Sequence, residues 1–297
     1  PLPPFTGELD GAGYTLSNLT VRHAYAGGYT AGRNGAGLFE TIEGTGYVHS
    51  LRLDTSAEGV TAVGSVNAYL GVLAGSIQST ADGTPQVKRV VATGVVRSDG
   101  DQVGGLVGWV GPSTIDEGPE PLRAMFSECA VFVLLGDGAN LNTDYDHQIG
   151  AIAGYSYWGF ALDRVAYSLE HAYAEAPHFG SSNRSPFGLG TSQRSSMESQ
   201  LGWDTCVDVP AAVIGDPAAY PGWDFEHIWE MYEGYPRLRR NTAAAAPRRH
   251  RLRGTVELDG NPAEIEVRAY SRESGALVGR AVSSSATGQY LIEPIMG

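Results

Sequence analysis

Apolar residues along this chain come in short bursts separated by glycine, with little helical spacing. The organising burst is residues 102–112, in which Leu106 and Val107 stand between Gly104-Gly105 and Gly108. Related bursts occupy residues 36–40, 71–75 and 150–154 and carry Leu38, Leu73 and Ile152 at the equivalent place. Each sets a large aliphatic residue among small ones. Each is followed by a run of strand type, at 47–53, 87–96, 126–135 and 162–169. In the first of these runs Val48, Leu51 and Leu53 are placed to share a core.

The intervals between the central aliphatics are 35, 33 and 46 residues. The surplus in the last is assigned to an inserted loop at 115–122, rich in Pro, Glu and Gly. A strand-borne period of this size means stacked units, none of which can bury its apolar side alone. Stacking is expected to align Leu38, Leu73, Leu106 and Ile152 as an internal ladder. The flanking glycines fit where the chain turns tightly or a neighbouring coil comes close. The fold expected is all-β: a β-solenoid, read as a right-handed β-helix, over residues 1–240.

Composition sharpens this picture. Of 297 residues 40 are glycine, about twice the usual share of roughly 7%. There is no collagen-like period, so many tight turns between short strands are implied. The net charge of −13 repels nucleic acid and anionic membrane and suits a cation-rich medium. No apolar run approaches the ~20 residues of a membrane helix. Two cysteines make no disulfide framework. A Cys129–Cys206 bridge is possible, and a buried free thiol at Cys129 is the commoner outcome for its apolar surroundings. The abrupt start at Pro1-Leu2-Pro3-Pro4 and the strand-like finish suggest an ordered part of a longer polypeptide.

The Gly104–Gly108 unit followed by a strand, with Leu9-Asp10-Gly11-Ala12-Gly13 ahead of it, resembles the GLUG-repeat family of β-helical surface and phage proteins. Tyr173-Ala174-Glu175, the 190–197 stretch and residues 222–239 resemble that family's closing segment, so the likeness covers about 5–240. Residues 204–219 depart from it as an insertion, and the first and fourth units are degenerate. The resemblance implies a non-enzymatic elongated scaffold, most readily a phage tail or fibre component that contacts a host surface or other virion proteins. A virion location and a homotrimer belong to that implication. The alternative it implies is a bacterial cell-surface adhesin, and the third is a polysaccharide depolymerase on the same scaffold. The partner expected is a surface glycan or protein, with no nucleic acid, no membrane insertion and no cofactor.

The end of a solenoid exposes an apolar cross-section that needs a cap. Trp223, Phe225, Ile228, Trp229, Tyr232 and Tyr235 supply aromatic bulk for it, with sugar stacking as the sharper alternative. Asp224 is placed to start a helical turn or two. Residues 241–253 are expected to be a linker containing a short basic cluster. Residues 254–297 alternate with period two between Gly turns, as a small antiparallel β-sandwich does. They resemble the carboxypeptidase-regulatory-like or transthyretin-like module.

Candidate chemistry is thin. Asp116, Glu117 and Glu120 cluster in one loop, as paired carboxylates of a glycosidase would, but solvated loop charge is the default reading. Asn140, Asn142, Asp144 and Asp146 alternate oxygen ligands that suit Ca²⁺. The spacing lacks the glycine and the terminal glutamate of an EF-hand, so an Asx-turn loop is the default. His23, His49, His147, His171, His178, His227 and His250 show no zinc spacing. No nucleophile elbow or phosphate loop occurs. The expectation is therefore a chain with no catalytic, cofactor or metal residues.

Overall fold

The computed structural model describes residues 4–24, 35–63, 68–98, 102–112, 124–137, 148–156, 161–174, 186–187, 205–239, 250–255, 257–258, 261–270 and 277–295. The chain divides into two units, 1–240 and 241–297.

The first unit is a parallel β-solenoid built from three stacked sheets. The first sheet holds β3 (Gly35–Ala36), β6 (Tyr69–Leu70), β9 (Gln102–Gly104) and β13 (Gln148–Gly150). The second holds β4 (Phe39–Glu43), β7 (Ala74–Ser79), β10 (Val107–Pro112) and β14 (Ala153–Ser156). The third, longest sheet has six rungs. They are β1 (Glu8–Asp10) with β2 (Thr15–Ala24), β5 (Tyr47–Val63), β8 (Gln86–Ser98), β11 (Met125–Ser127) with β12 (Ala130–Asp137), β15 (Ala161–Asp163) with β16 (Ala166–Tyr167), and β17 (Val207–Asp208). Every pairing between rungs is parallel.

The aliphatic ladder is present. The Phe39 amide donates to the Leu73 carbonyl, Leu73 to Leu106, and Leu106 to Ile152, each at 2.9 Å. Leu73, Leu106 and Ile152 are fully buried, and Leu38 is half-buried against the same core. The glycines beside them allow close approach. A Cβ on Gly75 would lie 2.1 Å from the Gly35 Cα, and one on Gly108 would lie 2.3 Å from the Leu70 amide nitrogen. In both cases the second sheet of one coil lies against the first sheet of the preceding coil.

Val48, Leu51 and Leu53 all face the core, although simple alternation would turn Val48 and Leu51 to opposite faces. The reason lies at Ser50, whose φ of 56° is left-handed. The register places Arg89, Glu128 and Arg164 in the same column, and their φ values are 54°, 52° and 52°. A left-handed residue at each rung turns a corner and resets which side faces inward. Val87 with Val90, Phe126 with Cys129, and Leu162 with Val165 repeat the pattern.

The long interval between Leu106 and Ile152 has two sources rather than one inserted loop. Leu73 and Val87 stand 14 positions apart, whereas the equivalent Leu106 and Phe126 stand 20 apart. Val87 and Leu106 stand 19 apart, whereas Phe126 and Ile152 stand 26 apart. The extra length is thus shared between 113–123 and 138–147, both outside the described residues.

The aromatic closing segment covers apolar surface on the solenoid's flank, along the outer face of the longest sheet. Trp229 and Tyr220 are buried there against Val91, Ala130, Phe132 and Ala166, with Val209 and Ile214. Asp224 accepts from the Glu226 and His227 amides and starts a single turn, shorter than a helix. The segment then forms a hairpin, β18 (Trp229–Tyr232) and β19 (Tyr235–Leu238), through Glu233 and Gly234, which have φ of 51° and 79°. This strap reaches every rung. Leu238 and Arg239 lie beside Gly13, and the Arg52 guanidinium lies 5.8 Å from the Tyr235 ring centroid. The Phe132 and Tyr235 rings are 5.8 Å apart, and Val209 anchors the strap on the sixth rung.

The interior of the last coil is met by other aromatics. A short helix, α1 (Leu169–Ala172), capped by Ser168, leads to the buried Tyr173, whose hydroxyl donates to the Ile149 carbonyl at 3.0 Å. Phe187, fully buried, bridges to Ala153.

No disulfide joins Cys129 and Cys206. The register puts them in one column but two rungs apart, which is about 9–10 Å at 4.7–4.9 Å per rung and beyond disulfide reach. Cys129 is fully buried, and burial pushes its thiol up to about 12.

The second unit consists of small antiparallel sheets. β20 (His250–Thr255) pairs with β25 (Gln289–Ile295), β21 (Glu257–Leu258) with β22 (Asn261–Pro262), and β23 (Glu266–Tyr270) with β24 (Leu277–Val282). The segment expected to be linker through 253 is already strand from His250, because its backbone pairs with β25.

Candidate functional site

The carboxylates Asp116, Glu117 and Glu120, and the oxygen-rich Asn140, Asn142, Asp144 and Asp146, lie outside the described residues. So do His147 and His178 and the side chain of His250. Among the described residues no three of His, Cys, Asp and Glu are grouped to hold a metal. No described helix is long and apolar enough to cross a membrane.

Two clusters of charge mark the corner turned by the left-handed residues. Glu128 is buried, and its carboxylate is shared between Arg89 and Arg164, the latter at 2.9 Å. Arg164 also forks onto Asp163 at 3.0 and 3.1 Å. That hydrogen bonding holds the Asp163 carboxyl below the ordinary range despite burial. One end of the ladder carries His49, within 3.0 Å of Glu8 and 3.4 Å of Asp10, its ring stacked on Tyr47 at 4.3 Å. Burial, helped by Glu8, pushes the Tyr47 hydroxyl up. Both clusters are satisfied within the chain and stitch neighbouring rungs together.

A different grouping forms where the first and second sheets meet. Along the first sheet Tyr69 stands beside Gln102. Along the second, Trp109 stands beside Tyr155. Because Gly108 tucks against the Tyr69–Leu70 backbone, Trp109 of one coil meets Tyr69 of the coil before it. Their ring centroids are 6.0 Å apart with planes 21° from parallel. Gly154 tucks against the Gln102–Val103 backbone in the same way, which places Tyr155 one residue from that approach. The result is a patch two rungs deep and two residues wide, of three aromatic side chains and one amide. All four are partly exposed. The Gln102 Oε1 is shielded from solvent and accepts no hydrogen bond among the described residues. Next in the Trp109 column is Ser76, whose hydroxyl is taken up by Thr41 at 3.0 Å and Gln78 at 3.1 Å.

The sequence concealed this patch. Gln102 and Trp109 lie inside the organising burst, but Tyr69 and Tyr155 come from the units before and after it. Only the rung register and the one-coil offset of the glycines bring them together.

The fold and its surfaces thus define a parallel β-solenoid with a flank strap, whose ionic clusters serve the scaffold. No protein-family model matches the chain, and no solved structure matches it. A stretch of 110 residues, 37% of the chain, is 32% identical to halomucin of Haloquadratum walsbyi. The chain spans about 1% of halomucin's length.

Proposed function

We propose that this chain is a non-enzymatic structural and attachment module of an extracellular or cell-surface polypeptide. The observation that carries the reading is the strapped solenoid. Its interior is filled by an aliphatic ladder, and its ionic clusters link rung to rung, so the outer face is a rigid surface for contact. The likeness to a protein named a mucin supports a surface setting. The net charge of −13 suits such a setting where cations are abundant, because screening relieves self-repulsion. The tail or fibre role suggested by the GLUG resemblance would use the same scaffold, but the comparisons give it no support of its own.

The test is an antibody against the 1–240 unit applied to intact producing cells. Surface labelling that external protease removes is expected. Labelling that appears only after permeabilisation would overturn the reading. Release of new reducing ends from capsule or lipopolysaccharide by the purified chain would replace it with a depolymerase.

A further inference from the structure

We infer that the outer corner formed by Tyr69, Gln102, Trp109 and Tyr155 is a binding site for a neutral hexose residue of a glycan. The proposal rests on the attachment reading and names the partner for one part of that surface.

The chemistry of the patch selects the ligand. Pyranose rings present a face of C–H groups that packs on an aromatic plane, with hydroxyls around the edge that need hydrogen-bonding partners. Tyr69 and Trp109 supply a stacked pair of rings, their centroids 6.0 Å apart and their planes 21° from parallel. Both rings are partly exposed. Tyr155 stands one rung on in the Trp109 column, a step of about 4.8 Å, and lengthens the aromatic surface along the axis. Gln102 interrupts the aromatics with an amide whose oxygen has no donor among the described residues. An acceptor without a partner is costly, and rotation of the partly exposed Gln102 side chain would offer it to a sugar hydroxyl, a donor that relieves it.

None of the four side chains is ionisable at neutral pH. A charged sugar or a phosphate would find no counter-charge among them, which selects a neutral ring. The scaffold suits the task, because each side chain is fixed by a strand and each strand by the glycine beneath it. Little ordering is left for the ligand to impose. The strap aromatics are the less suitable platform: Trp229 and Tyr220 are spent in the core of the flank.

The experiment uses the full chain, with the Trp indole N–H signals followed by NMR while methyl hexopyranosides and neutral hexose oligosaccharides are added to millimolar concentration. A saturable shift of the Trp109 signal, assigned by its absence in Trp109→Phe, is expected for at least one neutral sugar. Sialic acid and inorganic phosphate should leave it unmoved. Tyr69→Ala should weaken binding about 2- to 10-fold, the scale of one aromatic contact. Gln102→Ala should weaken it without altering the Trp109–Tyr69 stacking read by near-ultraviolet circular dichroism. Tyr232→Ala, an exposed strap aromatic, should change nothing. No saturable shift with any neutral sugar, or binding that survives both Tyr69→Ala and Gln102→Ala, overturns the proposal. Surface labelling that persists without sugar binding would leave the attachment reading standing and remove only this site.

Discussion

Removing the Trp229 indole is the sharpest test of the strap. Trp229 is 1% exposed, and its ring centroid is 4.3 Å from that of Trp223. The cluster it packs in includes Val91, Ala130 and Ala166, side chains from three consecutive rungs. Those rungs are locked by ladder hydrogen bonds and cannot sink into the space an alanine would leave. Buried Trp-to-Ala changes cost about 3–5 kcal/mol, and a site that cannot collapse belongs in the upper part of that range. At roughly 2–4 °C per kcal/mol for a unit of this size, Trp229→Ala should lower Tm by about 6–20 °C. Thermal unfolding measures the Tm, and urea unfolding followed by far-ultraviolet circular dichroism and by tryptophan fluorescence measures the free-energy loss. Both probes should move together to a lower midpoint, because the strap touches every rung. Val213→Ala, at a site 37% exposed, should stay within about 0.5 kcal/mol of the parent. A loss below about 1 kcal/mol for Trp229→Ala would refute the reasoning. So would a separate early transition that leaves the main one unmoved, since the strap would then be an ornament on an independent solenoid.

Three further outcomes are expected. Gly108→Ala forces a methyl to 2.3 Å from the Leu70 nitrogen and should cost about 1–3 kcal/mol or more in the same urea assay. Gly215→Ala, whose nearest neighbour is at 3.6 Å, should be tolerated. Glu128→Gln should cost about 1–2 kcal/mol, less than a fully buried pair, because Arg89 and Arg164 are 31% and 41% exposed; the double variant with Arg164→Gln should cost less than the sum of the singles. His171 packs edge-on to Tyr235, and burial lowers its pKa below the ordinary 6.5. Its contribution is therefore full above pH 6.5 and is lost as pH falls through the depressed folded value. Tm measured between pH 7 and 5 should fall more steeply for the parent than for His171→Phe.

The sequence displayed the ladder because Leu38, Leu73, Leu106 and Ile152 recur with small neighbours, a signal carried by residue type alone. It displayed the need for close approach through the glycines, though not which strand approaches. It could not display the corner. Ser50, Arg89, Glu128 and Arg164 share a left-handed backbone but no side-chain chemistry, and none is a residue type that announces φ > 0. The strap's aromatics were legible as a cover, but their docking on the flank depends on the outward Val91, Ala130 and Phe132, which read as ordinary strand residues. The corner patch was hidden for the same reason as the register. Its members are neighbours only after stacking has occurred.

A stack of similar coils, each touching only the next, ordinarily frays from its ends inward, one layer at a time. Here residues near position 238 come back to lie against position 13, so the first layer is held by the final segment of the same unit. The stack is thereby closed into a circuit, and losing a layer at either end means letting go of a segment that also grips all the others. Pulled by its ends, such a unit should yield in a single event rather than unravel.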